Sequence, residues 1–248
     1  MSVEALYSSE MRRQIKQFPV WRPGDPVEPA DIGTLSDGVL RKQTTLSKVF
    51  PELKYKITST KLENPYLFVS SSAKKGKLQA AAPNPSGIPV TANMKIEFGG
   101  KGAVVFAATD ISRKYIEDLY QVRKYIKENK AQWPKGMVLA GVVETAGTFR
   151  VLVSESKNGS VSLSGDAKAL GAINIADASV GISLENAGGY DSQRARGPIS
   201  VTPYGFNWWD ALRGRIQLLE HDDEAVSTTD DDFVELSADE YPDDEEDE

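Results

Sequence analysis

The sequence predicts an α+β fold: a twisted, largely antiparallel sheet with one main helix, followed by an acidic C-terminal tail. Three observations support this. Apolar residues alternate with period two over two long regions, and only residues about 111–131 show strong helical periodicity. From Gln217 onwards the chain has sixteen acidic residues and no lysine or arginine. We therefore divide it into a domain over residues 1–215 and a tail over 216–248.

The first hundred residues are predicted to be mostly loop and strand. FPVWRPGDPVEPADIGTLSDG is rich in proline and glycine, which favours loop or edge structure. LSKVFPELKYKITS predicts a turn that leads into a strand, and NPYLFVSSS predicts another strand. VTANMKIEF and AVVFAAT flank GGKG, which predicts a hairpin. GGKG lacks the spacing and the following helix of a phosphate-binding loop, so a turn is the better interpretation.

The main helix is predicted within DISRKYIEDLYQVRKYIKENKAQW. Its apolar residues recur at helical spacing, namely Tyr115, Leu119, Val122 and Ile126. Asp110 or Ser112 is placed to cap the first turn by accepting a hydrogen bond from an otherwise unpaired amide. Pro134 is placed to end the helix.

Strand patterns return after the helix, in MVLAGVVETA, TFRVLVSES and SVSLSGDAKALGAINIADASVGISLE. Asn158-Gly159 predicts a two-residue hairpin turn. Ile173 and Ile175 have one parity and the following alternating residues, from Val180 on, have the other. We therefore expect a break or a bulge near Asp177 between two strands.

The composition excludes several kinds of chemistry. The absence of cysteine excludes disulfides, thiolate catalysis and thiolate–zinc sites. The single histidine, His221, disfavours a histidine-based triad or metal site. The scattered acids Glu144, Glu155, Asp166 and Asp177 have no evident partner, so we expect them to be solvated on strand faces. We expect no catalytic residues, no metal and no cofactor, and hence a protein that binds, assembles or inserts rather than an enzyme.

Charge is divided unevenly along the chain. Of the 36 acidic residues sixteen lie in the tail, which leaves 20 against 29 basic residues and a net charge of +9 for the body. A basic body can bind anionic lipid, nucleic acid or its own acidic tail. AKKGK can bind phosphate or be a solvated loop. Trp208-Trp209 can form a stacking platform, a membrane-interface anchor or core packing. The N-terminus lacks the apolar core of a secretory signal, so we expect a cytoplasmic protein.

The order of several segments resembles the pore-forming domain of gasdermins, in the compact bacterial and fungal form. The resemblance covers about residues 90–206. It lies in MKIEFGGKGAVVFAA, in YIEDLYQVRKYIKENKAQW, in GMVLAGVVETAGTFRVLVSESKNGSVSLSG and in the Pro-aromatic segment VTPYGF. Two features differ from that family: there is no N-terminal cysteine to carry a lipid, and the C-terminal segment is acidic rather than mainly apolar.

The resemblance implies a function in membrane permeabilisation and cell death, including defence against phage. The resting protein would be a cytoplasmic monomer held inactive by its C-terminal segment. An activating protease would release the body, which would bind anionic lipid in the cell (inner) membrane and form a homo-oligomer. Regions of about Met94–Thr109 and Val151–Leu184 would become amphipathic membrane-spanning hairpins. Nucleic acid is not an expected partner on this interpretation.

Three sets of candidate residues follow. The membrane-inserting strand candidates are Val104, Val105, Phe106, Val151, Val153, Val161, Leu163, Ile173, Ile175, Val180, Ile182 and Leu184. The lipid-contact candidates are Lys74, Lys75, Lys77 and Lys101. The candidates for docking the tail onto the body are Phe233, Val234, Leu236 and Tyr241. Two other classes of function remain open from the residues alone: a structural or assembly protein with an acidic tail, and a nucleic-acid-binding body whose tail competes with its ligand.

Overall fold

The computed structural model describes residues 2–77, 79–80, 91–100, 102–156, 159–185, 189–193, 195–206 and 233–241. Over these residues the fold is α+β, with two sheets whose described strand pairings are antiparallel and with four α-helices. The predicted mixed class with a largely antiparallel sheet is thus confirmed at this level. Lys101, Asn158, Trp208-Trp209, His221 and the final acidic run all lie outside the described residues.

The larger sheet, which we call the central sheet, contains ten of the described strands. Its longest members are β9 (Val104–Ile116) and β10 (Val138–Ser154), which pair with each other. The other strands are β1 (Phe18–Pro19), β2 (Asp31–Ser36), β3 (Val39–Thr45), β4 (Ile57–Lys61), β5 (Tyr66–Val69), β13 (Gly189–Asp191), β14 (Ala195–Phe206) and β15 (Phe233–Glu235).

The second sheet, which we call the small sheet, contains five described strands. They are β6 (Ala73–Lys75), β7 (Gln79–Ala80), β8 (Thr91–Phe98), β11 (Ser160–Asp166) and β12 (Gly181–Glu185). β8 and β11 lie in the middle, and β12 pairs with the outer side of β11.

Both predicted hairpins are wrong for the same reason. β8 and β9 flank GGKG but belong to different sheets, and so do β10 and β11 on either side of Asn158-Gly159. The chain crosses from one sheet to the other at both points. Turn-forming residues show where a strand ends, but they do not determine which strand it pairs with.

The predicted helix over about 111–131 is wrong at its N-terminal end. Strand β9 continues to Ile116, and helix α3 spans only Leu119–Glu128, capped by Asp118. The residues up to Ile116 pair with β4 on one side and β10 on the other, and these ladders outweigh the local helical spacing. Val122 and Ile126 are buried on the helix face, as their spacing predicts.

The N-terminal segment, which the sequence predicts as loop and strand, contains helix α1 (Val3–Ile15). The Ser2 side chain accepts a hydrogen bond from the Ala5 amide and so caps its first turn. Tyr7 and Met11, four residues apart, are fully buried on its inner face. Two shorter helices, α2 (Leu46–Val49) and α4 (Ala167–Gly171), lie at strand connections.

The molecule is layered about the central sheet. One face of β9 and β10 packs against the small sheet through an apolar cluster, which we call the inter-sheet cluster; it includes Val105, Leu152, Met94 and Leu163. The opposite face packs against α1 through Tyr7 and Met11. Both faces of these two strands are therefore covered, whereas the described residues cover the small sheet on one face only.

Candidate functional site

The small sheet separates apolar from polar side chains by strand parity. Val161 lies opposite Ile96 and Leu184, and Leu163 lies opposite Met94 and Ile182. These residues share the face directed at the central sheet, and most of them are buried in the inter-sheet cluster. Leu184, at the end of the edge strand, is the exception, with 40 % of its surface exposed.

The outer face of the same strands is polar. Ser162 lies opposite Lys95 on one side and Ser183 on the other, and Ser164 lies opposite Asn93. These side chains border a shallow concavity of about 680 Å³, which Lys77 also lines. The strands β8, β11 and β12 therefore each have one apolar and one polar face, the pattern expected of a strand that separates two environments.

The candidates on the central sheet have a different setting. Val104 and Phe106 of β9, with Val151 and Val153 of β10, pack on the α1 side. Val105 packs on the other side, in the inter-sheet cluster. Because adjacent residues of β9 are buried on opposite faces, this part of the first predicted region is apolar on both faces rather than amphipathic.

Part of the second predicted region is not a strand. Ile173 and Ile175 lie in the turn between α4 and β12, where both are buried, and Ile173 has a positive φ of 60°. Val180 is buried just before β12 begins. The prediction that Ile173 and Ile175 lie on a strand is therefore wrong. The chain does turn at Asp177, but this turn belongs to a longer connection that begins where β11 ends, at Asp166. Asp177 closes the turn by accepting hydrogen bonds from Ser179.

Three of the four lysine candidates lie in the described residues, on or just beyond β6. Lys74, Lys75 and Lys77 are exposed. Lys75 donates a hydrogen bond from Nζ to the carbonyl oxygen of Gly171, 3.3 Å away. Lys95 is exposed on the neighbouring strand β8, and one acidic residue, Glu97, lies directly opposite Lys74.

The C-terminal segment adds a strand to the central sheet. Strand β15 runs antiparallel to the end of β14, with Phe206 opposite Phe233 and Tyr204 opposite Glu235. The amide of Leu236 then donates to the carbonyl oxygen of Pro203, 2.9 Å away. Residues 233–241, which we call the docked segment, are thus continuous with the fold of the body.

Apolar side chains of the docked segment enter two clusters of the body. Phe233 is 2 % exposed, and its ring centre lies 5.0 Å from that of Trp133 and 5.1 Å from that of Phe206. Leu236, 3 % exposed, packs into a second cluster that contains Val201. Val234, between them, is half-buried. Burial of these two large side chains stabilises the docked segment by an amount on the order of several kcal/mol.

Polar contacts surround these apolar anchors. Arg123 Nε donates to the carbonyl oxygen of Phe233 at 2.7 Å, and Lys16 Nζ lies 2.7 Å from Asp239 Oδ1. Arg12 donates from Nη1 to the carbonyl oxygen of Tyr241 at 3.0 Å, and its guanidinium lies 4.3 Å from the centre of the same ring. The three cations come from α1, its C-cap and α3, so the docked segment holds separate parts of the body together.

Tyr204 forms a further link between β14 and β15. Its hydroxyl donates to Glu235 Oε2 at 2.7 Å. Burial raises the pKa of Tyr204 above its ordinary value, and the hydrogen bond to Glu235 raises it further. The ring has room because residue 141 is glycine: a Cβ there would lie 2.5 Å from the ring of Tyr204.

A buried carboxylate lies near the middle of the central sheet. Glu144 is 0 % exposed, and its Oε1 accepts from Arg113 Nε and Nη2 at 2.9 and 2.6 Å. Its Oε2 accepts from the Tyr66 hydroxyl at 2.7 Å, and further contacts come from Gln17 and Ser200. Burial is the largest cause of the raised pKa of Tyr66, followed by the hydrogen bond to Glu144. We call these five residues the Glu144 network.

The Glu144 network corrects the expectation that Glu144 is solvated. Arg113, Glu144 and Ser200 lie directly opposite one another on β9, β10 and β14, so strand register brings them together. The sequence does carry one signal, since Glu144 is a single acid within a long apolar stretch. Such an acid is expected to be buried, and a buried charge needs a partner. The sequence does not identify the partner, because the predicted helix over about 111–131 includes Arg113.

Comparison of the chain with protein-family models and with curated protein sequences finds no match. Within the described residues, no helix has both the length and the apolar character needed to cross a membrane. The same part of the chain contains no cluster of three histidine or acidic side chains suited to a metal ion.

Proposed function

We propose that this protein permeabilises membranes, and that its docked C-terminal segment keeps it inactive until proteolysis. The observation that carries the proposal is the two-faced character of the small sheet. β8, β11 and β12 bury their apolar faces against the central sheet and turn serine, asparagine and lysine outwards.

Such strands suit a membrane-spanning assembly. A strand that crosses a bilayer needs apolar side chains towards lipid and polar ones towards water, over about 9–11 residues. β8 has eight residues and is followed by the crossing to β9. β11 has seven residues and is preceded by the crossing from β10. Lipid requires that every backbone group be paired, so the strands would insert as part of a homo-oligomer.

The docked segment supplies the resting state in this proposal. It covers the edge of β14 and fills two apolar clusters of the body. Residues 207–232 connect β14 to β15, and a protease that cuts this connection would untether the segment. The resting protein is a cytoplasmic monomer, and the activated body acts at the inner (cell) membrane.

Anionic lipid is the membrane partner that the charges favour. The body carries a net charge of +9, and Lys74, Lys75 and Lys77 are exposed beside the small sheet. Each basic residue near an anionic membrane surface contributes about 1 kcal/mol to binding. Attraction at this end would bring the small sheet, rather than the docked segment, close to the bilayer.

The proposal is tested by charge placed on either face of one strand. Leu184→Asp puts a carboxylate on the apolar face of β12, and Ser183→Asp puts one on the polar face of the same strand. Both positions are exposed, so we expect both variants to fold. After proteolysis, Leu184→Asp should lose dye release from phosphatidylglycerol vesicles, because a charge on the lipid-facing side of an inserted strand is costly. Ser183→Asp should retain most of it.

Circular dichroism of both variants before lipid is added provides the control for folding. Equal dye release by two folded variants would remove β12 from the inserted strands. No release by the cleaved wild-type protein would contradict permeabilisation itself.

A further inference from the structure

The edge of β14 binds β15 through side-chain pockets as well as through main-chain pairing. Ladder hydrogen bonds carry no sequence information, and selectivity in strand addition comes from side-chain pockets beside the edge. Here three positions of the docked segment meet such features. Phe233 enters the ring pocket of Trp133 and Phe206, Glu235 meets the hydroxyl of Tyr204, and Leu236 enters the second cluster.

The intervening residue serves as an internal contrast. Val234 is half-buried and lies opposite Gly205, which has no side chain to form a pocket for it. The edge of β14 therefore favours a segment with an aromatic residue at position 233, an acidic residue at 235 and an aliphatic residue at 236, and it sets no requirement at 234. One charge pair adds to this pattern, between Lys16 and Asp239, and Arg123 and Arg12 donate to main-chain carbonyl oxygens at the two ends of the docked segment.

The connection between the paired strands does not explain their register. Phe206 and Phe233 are directly opposite, yet 26 residues separate them in the sequence, whereas hairpin loops usually have 2–5 residues. A connection of that length cannot select one register by itself. The side-chain contacts must do so, and they are the same contacts whichever chain supplies the segment.

We propose that the edge of β14 is a selective strand-acceptor groove that also binds the 233–241 segment of a second copy of this chain when its own segment is displaced. In the intact protein the chain's own segment occupies the groove in preference to that of another copy, because tethering gives it an effective concentration in the millimolar range. A chain whose own segment is weakened should leave the groove open to the segment of another copy. This inference does not depend on membrane activity.

Binding of a labelled peptide provides the test. The full chain with Phe233→Ala and Leu236→Ala is mixed with a fluorescent peptide of residues 231–241, and anisotropy is measured at micromolar concentration. We expect saturable binding, at least tenfold tighter than to the wild-type chain, whose groove is occupied. In the peptide, Glu235→Lys should weaken binding at least tenfold, and Val234→Ala should change it less than threefold.

The second copy is tested by mixing two full-length variants. Arg123→Ala loosens the docked segment in one chain, while Phe233→Ala with Leu236→Ala opens the groove of the other. Light scattering should detect a heterodimer in the mixture and monomers in each variant alone. Monomers alone in the mixture would overturn the role of a second copy.

Two other results would overturn selective strand binding. One is the absence of peptide binding by a double variant with native circular dichroism. The other is equal binding of the Glu235→Lys and Val234→Ala peptides. If the double variant does not fold, the Glu235→Lys chain replaces it, because residue 235 is exposed and the change removes only the contact with Tyr204. No membrane is present, so a failure here is distinguishable from a failure of vesicle leakage.

Discussion

The centre of the central sheet and the small sheet are held together by different interactions. At the centre, Glu144 joins β5, β9, β14 and the segment after α1 through directional hydrogen bonds and an ion pair. The small sheet meets the central sheet through apolar side chains of the inter-sheet cluster. Apolar contact is non-directional and can be exchanged for contact with lipid, whereas a buried charge cannot leave its partners cheaply.

We infer from this difference that the centre of the central sheet keeps its structure, whereas the small sheet can exchange its contacts with the central sheet for contacts with lipid. The docked segment belongs to the second kind, since Phe233 and Leu236 anchor it by burial and its ion pair with Lys16 is exposed. On this account the Glu144 network keeps the central sheet intact while the small sheet and the docked segment move.

The largest effect is expected at the apolar anchors of the docked segment. Phe233→Ala with Leu236→Ala removes two buried side chains, and each such truncation typically costs about 2–5 kcal/mol. We expect the uncleaved double variant to release dye from anionic vesicles. Deletion of Asp243–Glu248 should leave inhibition largely intact, and so should 1 M salt, because apolar burial is not screened. Release by salt alone, with a silent double variant, would show that the tail is an electrostatic shield.

A smaller but sharper effect is expected at the Glu144 network. Arg113→Leu leaves the buried carboxylate without its charged partner, and the free energy of unfolding should fall by about 3–5 kcal/mol. The matched control is Lys56→Ala in the exposed pair Lys56–Glu117, where a loss below about 1 kcal/mol is expected. Urea denaturation measures both. Similar losses in the two variants would remove the distinction between the two regions.

The smallest expected effect is on how the free energy of unfolding depends on pH. Because the pKa of Tyr204 is raised in the docked state, its neutral form is favoured there, so this stabilisation is complete below about pH 10 and declines as pH rises beyond it. The free energy of unfolding of the wild-type protein should therefore fall more steeply between pH 9.5 and 11 than that of Tyr204→Phe. Parallel curves for the two proteins would contradict a raised pKa of Tyr204 in the folded protein.

Sequence reasoning succeeded where a pattern is local and failed where pairing is distant. The alternation in GISLE predicts β12 correctly. A turn lies at the predicted break near Asp177, but Ile173 and Ile175, whose parity predicts that break, are in the turn region and not on a strand. The ends of β9 and the partners of β8 and β11 were missed, because ladder pairing is set by contacts far along the chain. Helix α1 has a local signal of its own: Ser2 caps its first turn, and Tyr7 and Met11 form one apolar face.

The candidate site residues also fall into those predicted by local alternation and those that depend on distant strand pairing. Val161 and Leu163 share one face of β11, and Ile182 and Leu184 share one face of β12, as alternation predicts, but only the register between the two strands places both pairs on the same face of the small sheet. Val105 and Phe106 could not be assigned to one layer from the sequence, since a strand covered on both faces has no alternation to read. The Glu144 network depends on the register of three strands and was therefore beyond a single sequence.

A removable covalent lock on the docked segment tests the central claim most directly. The chain has no cysteine, and Gly205 lies directly opposite Val234, so Gly205→Cys with Val234→Cys offers one disulfide across β14 and β15. The protein is cut within residues 207–232 and mixed with phosphatidylglycerol vesicles. We predict no dye release while the disulfide is intact and release once a reductant is added, with each single-cysteine variant leaking in both conditions. Equal leakage before and after reduction, or none from a reduced, cleaved and folded protein, would contradict the account.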